Sequence, residues 1–248
     1  MPGDIGTGHD WVAARLTAEK GYPDLMGLLR DTLQYIQENP EKFQQALSVH
    51  VRLSVAALAL AILIFLPLGV LASRSTRMGP SLLSAVAAVR VIPSLAVLFL
   101  LYPYLGEIRR LIPFLQPTFA LALLALTALA GPPLVVNTDA GLRNVDAAVL
   151  ENARGLGMSP TQVFFKVQFP LALPVVIAGI RTAAVEVVAS ATLAAFIGVG
   201  GLGTFITSGV TLLDNKLLLV GAIPVTLLAL LAETLLGAVE RFVAPPAA

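Results

Sequence analysis

The sequence predicts an all-α integral membrane protein with about five transmembrane helices. Two observations carry that prediction. The 248-residue chain is 57% hydrophobic and only 12% charged, with a mean hydropathy of +0.86, whereas soluble domains carry roughly 25% charged and 45–50% apolar residues. The apolar residues also come in runs of about 20, the length that crosses a hydrocarbon core. The first run, Leu53 to Ser73, holds no charge at all.

The same composition excludes several functions. A net charge of +1 leaves no electrostatic footprint for nucleic acid. With no cysteine, disulfides, thiolate metal sites and cysteine nucleophiles are ruled out. His9 and His50, the only two histidines, both precede the first apolar run, so no histidine metal site is expected. The opening "MPGDIGTGHD" has neither the basic nor the apolar region of a cleavable signal, and the first span is expected to direct insertion itself.

Taken in order, residues 1–22 are polar and read as a mobile tail. Residues 23–50 form an amphipathic lead-in segment, with Leu25, Leu28, Leu29, Leu33 and Ile36 at near-helical spacing and Asp24, Arg30, Asp31 and Gln34 between them. Such a helix lies on the membrane surface. Asn39-Pro40 breaks it and starts another, with Asn39 as N-cap and Pro40 at the first helical position.

The transmembrane domain covers 51–243, and 244–248 is a short tail. Pro67 and Gly69 are expected to kink the lower end of span one. Span two runs over roughly 81–105 and contains Arg90 and Pro93; span three covers about 114–138, span four 171–198 and span five 216–240. Five spans put the ends on opposite sides of the membrane. With the 74–77 loop and the 139–170 stretch inside, Arg74, Arg77, Arg143, Arg154, Lys166 and Arg241 are cytoplasmic, against Arg109, Arg110, Lys216 and the N-terminal charges outside. The positive-inside rule therefore favours an outer N-terminus and a cytoplasmic C-terminus by a modest margin.

The 139–170 stretch is polar in an otherwise apolar chain. Asp146 is placed to cap a helix through "AAVLENAR", which "GLG" ends, since glycine accepts the left-handed conformation at a helix C-terminus. Ser159-Pro160-Thr161-Gln162 reads as a capping box opening a second helix over 160–168, which Pro170 stops. Val163, Phe164, Phe165 and Val167 are too many apolar side chains for one face. They either anchor a partner or dip into lipid headgroups.

Three further features stand out. Arg90 and Glu186 lie inside spans two and four, where a charge costs roughly 2.5–3.5 kcal/mol on insertion scales. They either pair across a pathway or each meet water or a backbone carbonyl. "GVGGLG", Gly198 to Gly203, follows a membrane helix rather than a strand. It reads as a turn at the outer mouth, with Gly198, Gly200, Gly201 and Gly203 as hinge candidates, and not as a nucleotide fingerprint. Ser190, Ala194 and Gly198 form a small-residue stripe for close helix packing. Arg181 is expected to reach back to the cytoplasmic interface, and Glu233 to face a second copy or to pack near the cytoplasmic end.

The central stretch resembles the signature loop of the permease subunits of binding-protein-dependent ABC importers. That pattern is E-A-A, three residues, G, nine residues, I-x-L-P. Glu151, Asn152 and Ala153 stand at E-A-A, Gly157 at the glycine, Val167 at the isoleucine and Phe169-Pro170 at L-P. Asn152, Val167 and Phe169 are the departures. "QYIQENPEKFQQALSVHVRLS", "VIPSLAVLFLL", "NTDAGLRNVDAAVLENARGLGMSP", "FPLALPVVIAGIRTA", "ATLAAFIGVGGLG" and "AIPVTLLALLAETLLGAVER" are similar to the osmoprotectant branch, importers of glycine betaine, choline, carnitine or proline betaine. The likeness covers roughly 30–243.

The resemblance implies the permease architecture of a type I ABC importer. It makes the 146–170 loop a cytoplasmic element docking into an ATPase subunit, with Glu151, Asn152, Ala153, Gly157, Ser159, Pro160, Phe164, Phe165 and Pro170 as coupling residues. It further implies two permeases, identical or paralogous, two ATPases and an extracytoplasmic solute-binding protein, in a bacterial or archaeal cytoplasmic membrane. The residues agree with that division of labour. There is no G-x-x-x-x-G-K-[ST] phosphate loop, so ATP is expected on the partner, with no cofactor or metal on this chain and no enzyme activity of its own. The single tryptophan, Trp11, lies in the tail, so no aromatic cage for a quaternary ammonium is expected in the spans. An autonomous secondary transporter is the alternative, but it needs internal repeats and its own ion site, and no repeat is evident. An intramembrane enzyme lacks a His/Cys/Asp cluster.

Overall fold

The computed structural model describes residues 25–75 and 77–244. The tail expected at 1–22, and all of the C-terminal tail beyond Ala244, lie outside the described residues. Among the described residues there is no strand.

Helix α1 spans Leu25–Glu38 and α2 spans Pro40–Arg74. Asn39 joins them differently from the expected cap. Its side chain makes no N-cap bond to α2; instead its Nδ2 donates to the Tyr35 carbonyl at 3.2 Å, closing the end of α1. Pro40 opens α2 as expected, because the missing proline N–H falls where the first turn has no partner anyway. Tyr35 and Ile36 pack on Phe205 and Val220 in a side cluster, while Leu25, Met26 and Leu33 of α1 are exposed. Pro67 lies inside α2 without ending it. Gly69 serves packing, since a Cβ there would sit 2.9 Å from Thr138 Cγ2.

The second span differs from expectation. It is two helices, α3 (Met78–Val89) and α4 (Ser94–Leu101). A 3-10 turn over Tyr102–Tyr104 leads from α4 into α5 (Leu105–Leu111). The two halves are bent by 91°. Pro93 is the reason: it has no N–H and disfavours helical backbone at Ile92. The chain tightens before it stops, with the Arg90, Val91 and Ile92 amides donating three residues back to Ala87, Ala88 and Val89. Four helical segments are continuous candidates for crossing a membrane, and the bent pair makes a fifth.

Helix α6 (Pro117–Arg143) is the hub. It packs between α2 and α9 (Phe169–Ser190), and Ala122, Ala125 and Ala130 on it are fully buried with Ala57 and Ala61 of α2 and Ala183 of α9. Small residues let membrane helices approach closely, which gains dispersion contacts where lipid offers no hydrophobic drive. Two polar contacts add to this packing. Thr127 Oγ1 donates to Leu123 and, at 3.4 Å, towards Ala57 of α2, and buried His50 Nε2 lies 3.1 Å from the Val188 carbonyl.

The loop after α6 contains α7 (Ala147–Gly155) and α8 (Pro160–Val163). Pro170 does not stop the second helix. A π turn at Phe164–Gln168 carries the chain directly into α9, so Pro160–Ile197 is one 38-residue helical segment. The wider turn changes the hydrogen-bond register, with the Phe169 amide donating five residues back to Phe164, and the helix passes a residue that has no donor. At its far end α9 narrows to a 3-10 helix, Ala191–Ile197. The expected Ser190–Ala194–Gly198 stripe therefore does not form. At three residues per turn, Ala191, Ala194 and Ile197 share the buried side instead. Helix α10 (Gly203–Leu212) and α11 (Asn215–Val243) complete the chain, with Asp214 Oδ1 accepting from the Lys216 and Leu217 amides at the start of α11.

Candidate coupling element and pathway residues

The local chemistry builds the caps and the glycine turn of the 146–170 loop in the way its sequence predicts. Asp146 Oδ1 accepts from the Ala148 amide at 2.8 Å. Gly157 has φ +81°, and its amide and that of Met158 donate back to Arg154 and Ala153, closing α7. The Ser159 amide donates to Gln162 Oε1 at 2.8 Å while the Gln162 amide reaches Ser159 Oγ at 3.4 Å, a complete capping box. Glu151, Asn152, Gly157, Ser159, Pro160 and Pro170 are exposed, and Ala153 is buried.

The two phenylalanines divide. Phe164 is buried against Leu142, Ala172 and Val70, with its ring 4.9 Å from Phe165 and 5.9 Å from Phe169. Phe165 is 64% exposed. The loop therefore offers one aromatic outward and spends the other on its own seat. That seat is tied to two long helices. Arg74 at the end of α2 lies over the Phe164 ring, and Gln168 Nε2 donates to the Leu142 carbonyl at 3.1 Å. Arg143 bonds Asp139 at 2.8 Å and donates to the Ala72 carbonyl at 2.7 Å. Beside Phe165 a cleft of about 620 Å³ opens, lined by Arg74, Arg154, Thr161 and Gln168.

The remaining site candidates lie elsewhere. Arg90 is exposed at the break between α3 and α4, and Glu186 is half-buried on α9. They are within Coulombic range of each other, but among the described residues they form no ion pair. The glycines also separate. Gly198, Gly200 and Gly201 all have left-handed φ, between 78° and 92°, whereas Gly203 starts α10 pressed against Thr192.

Comparison with known proteins decides the family. The profile described as "Binding-protein-dependent transport system inner membrane component" matches residues 65–245. The chain belongs to this family. The carnitine transport permease protein OpuCB of Listeria monocytogenes is 38% identical over 86% of this chain and 93% of its own. The choline transport system permease protein OpuBB of Bacillus subtilis is 34% identical over 86% and 94%. The osmoprotectant import permease protein OsmW of Salmonella typhimurium is 34% identical over 87% and 98%. In fold, the chain is similar to the inward-facing MetNI methionine ABC transporter, with a TM-score of 0.71 over 82% of this chain and 97% of that one at 19% identity.

The permease architecture of ABC importers is thus the fold, and the inner membrane its place. The autonomous secondary transporter is set aside, because this family of permeases works with binding proteins. One contact in this permease escaped sequence reasoning. Arg181 of α9 bridges Glu233 at 3.4 Å and Glu240 at 3.0 Å, both on α11. Glu240 Oε2 is in charge contact but receives no aligned hydrogen bond. The sequence does carry a signal: Arg181 on α9 and Glu233 and Glu240 on α11 are opposite charges in predominantly apolar helices.

Proposed function

We propose that this permease carries a small compatible solute such as glycine betaine, choline or carnitine into the cell, driven by ATP hydrolysis on a partner ATPase that docks on the 146–170 loop. The observation that carries the coupling role is the exposed, doubly capped loop that runs without a break into a membrane-spanning helix. The substrate class follows the names of the osmoprotectant relatives. Glu151, Asn152, Ala153, Gly157, Ser159, Pro160, Phe164, Phe165 and Pro170 make up the coupling surface and its support. Gly198, Gly200, Gly201 and Gly203 serve the outer mouth.

The loop and the C-terminus face the cytoplasm and the N-terminus faces outward, a reading supported by Arg74, Arg143, Arg154, Lys166 and Arg241 at one end of the spans. The working unit is two permeases, identical or paralogous, two ATPases, an extracytoplasmic binding protein and surrounding lipid. ATP binds the partner, and the permease carries no cofactor or catalytic group. The test is co-purification with a candidate partner ATPase, then solute uptake in liposomes with the binding protein. Uptake that persists without the ATPase overturns the reading.

A further inference from the structure

Two arginines line one cleft, and neither has a carboxylate. Arg74 ends α2 and Arg154 lies in the last turn of α7, and both open into the space of about 620 Å³ beside Phe165. Among the described residues neither makes an ion pair, whereas Arg143 meets Asp139 and Arg181 meets Glu233 and Glu240. Glu151, one helical turn before Arg154, is not among the residues lining the cleft. Arg74 is also held in place, because its guanidinium lies over the buried Phe164 ring. That contact positions the cation without neutralising it, and the planar group still carries donors for an anion.

The rest of the wall says what kind of body carries that anion. Exposed Phe165 and Pro160 give it an apolar side, and the Thr161 hydroxyl a further polar group. Arginine beside an exposed aromatic ring is the composition of protein–protein contact cores. A lipid surface fits less well. Residues 144–168 carry two acidic side chains, Asp146 and Glu151, against two basic ones, Arg154 and Lys166, so the loop has no net charge. Anionic membranes attract clusters of four or more Lys and Arg, which this loop lacks. A single acidic side chain can enter the cleft without meeting Asp146 or Glu151.

We propose that this cleft receives an acidic side chain of the ATPase, an Asp or Glu whose carboxylate is met by Arg74 and Arg154 while Phe165 packs on the apolar surface around it. The inference rests on the coupling reading above and deepens it by naming the charge of the partner surface at this point. A carboxylate matches the planar guanidinium fork. The two arginines belong to different elements, so the ATPase grips the end of α2 as well as the loop. Because the Arg74 guanidinium rests on Phe164, where the π turn begins, the same carboxylate also bears on the root of the helix that continues into α9. An open charged contact of this kind weakens as salt screens it.

The test measures the affinity of the full-length permease for a candidate partner ATPase, from low to high salt, in detergent and in phosphatidylcholine nanodiscs with and without phosphatidylglycerol. Arg74→Gln and Arg154→Gln are each expected to weaken binding about tenfold or more at low salt and to flatten its salt dependence. The Arg154 side chain makes no ion pair or hydrogen bond among the described residues, so its variant separates binding from folding, and an unchanged unfolding temperature checks this. Lys166→Gln, on the same loop but outside the cleft lining, should stay within about twofold of wild type. Arg154→Lys treated with a water-soluble carbodiimide is expected to form an amide with an Asp or Glu of the ATPase, identified by mass spectrometry of the linked peptides. Unchanged affinity in both glutamine variants, an equal loss in Lys166→Gln, or no link from Arg154→Lys to the ATPase overturns the cleft while leaving the coupling reading standing. A loss confined to nanodiscs with phosphatidylglycerol assigns the arginines to lipid phosphate and overturns it as well. Wild-type permease that binds no ATPase overturns the coupling reading itself, and this site with it.

Discussion

The guanidinium of Arg74 lies 4.3 Å from the centroid of the Phe164 ring, so the last turn of α2 rests on the π turn that leads the 146–170 loop into α9. This contact gives adjacent phenylalanines opposite jobs. Phe164→Ala removes a buried ring and is expected to destabilise the protein by about 3 kcal/mol, the low end for truncating a buried aromatic. Phe165→Ala removes an exposed ring and is expected to change stability by less than about 0.5 kcal/mol, while weakening ATPase association about tenfold. Thermal unfolding and co-purification, run on both variants, separate the two effects; equal unfolding temperatures would contradict the assignment.

Gly157 is required for its backbone rather than for space. A Cβ there meets no atom within 4 Å, but φ is +81°. Gly157→Ala is therefore expected to cost about 1–2 kcal/mol, and Gly157→Asn, which tolerates this conformation, distinctly less. Unfolding of the two variants in detergent checks the order. An alanine variant as stable as the asparagine one would show that the turn relaxes.

Glycines in the turn from 198 to 203 divide the other way. Gly198 has φ +78° and open space around it, while a Cβ on Gly203 would lie 2.7 Å from the Thr192 carbonyl carbon. Gly203→Ala must push the 3-10 segment off α10, with an overpacking cost of about 1–3 kcal/mol. At that position larger residues should be progressively worse. At Gly198 the penalty, about 1–2 kcal/mol from conformation alone, should be nearly independent of side-chain size. A series of Ala, Ser and Leu at each position, followed by thermal unfolding, distinguishes the two patterns.

Arg181 clasps α9 to α11 through Glu233 and Glu240, with side chains 31%, 46% and 26% exposed. Because Glu233 is nearly half exposed, solvent screens its share. Arg181→Met leaves two carboxylates together and is expected to cost about 1–2 kcal/mol, below the range for a fully buried pair. Adding Glu233→Gln and Glu240→Gln should recover most of that loss. A triple variant no more stable than Arg181→Met would mean that the arginine acts through its packing alone.

What the sequence disclosed was what depends on near neighbours. Asp146, Gly157, Ser159 and Gln162 act on atoms two or three residues away, so their caps could be read directly and occur as read. The long apolar runs were equally plain, since crossing a bilayer requires them. Pro93 was visible, but whether a proline bends a helix slightly or turns it by 91° is set by what packs around it. Phe164 and Phe165 could not be told apart, because the π turn shifts the side-chain register at that point. The Arg181 clasp joins residues far apart in the chain, and nothing local announces it. Asn39 held the right chemistry for a cap and used it on the preceding helix.

From Pro160 to Ile197 the backbone contains no loop. At about 1.5 Å per residue, 38 residues of helix extend on the order of 57 Å, longer than a bilayer is thick. Such a shaft has little slack. A tilt imposed at Ser159 on one side of the membrane travels the whole length, and the first joint free to take it up is Gly198 on the other.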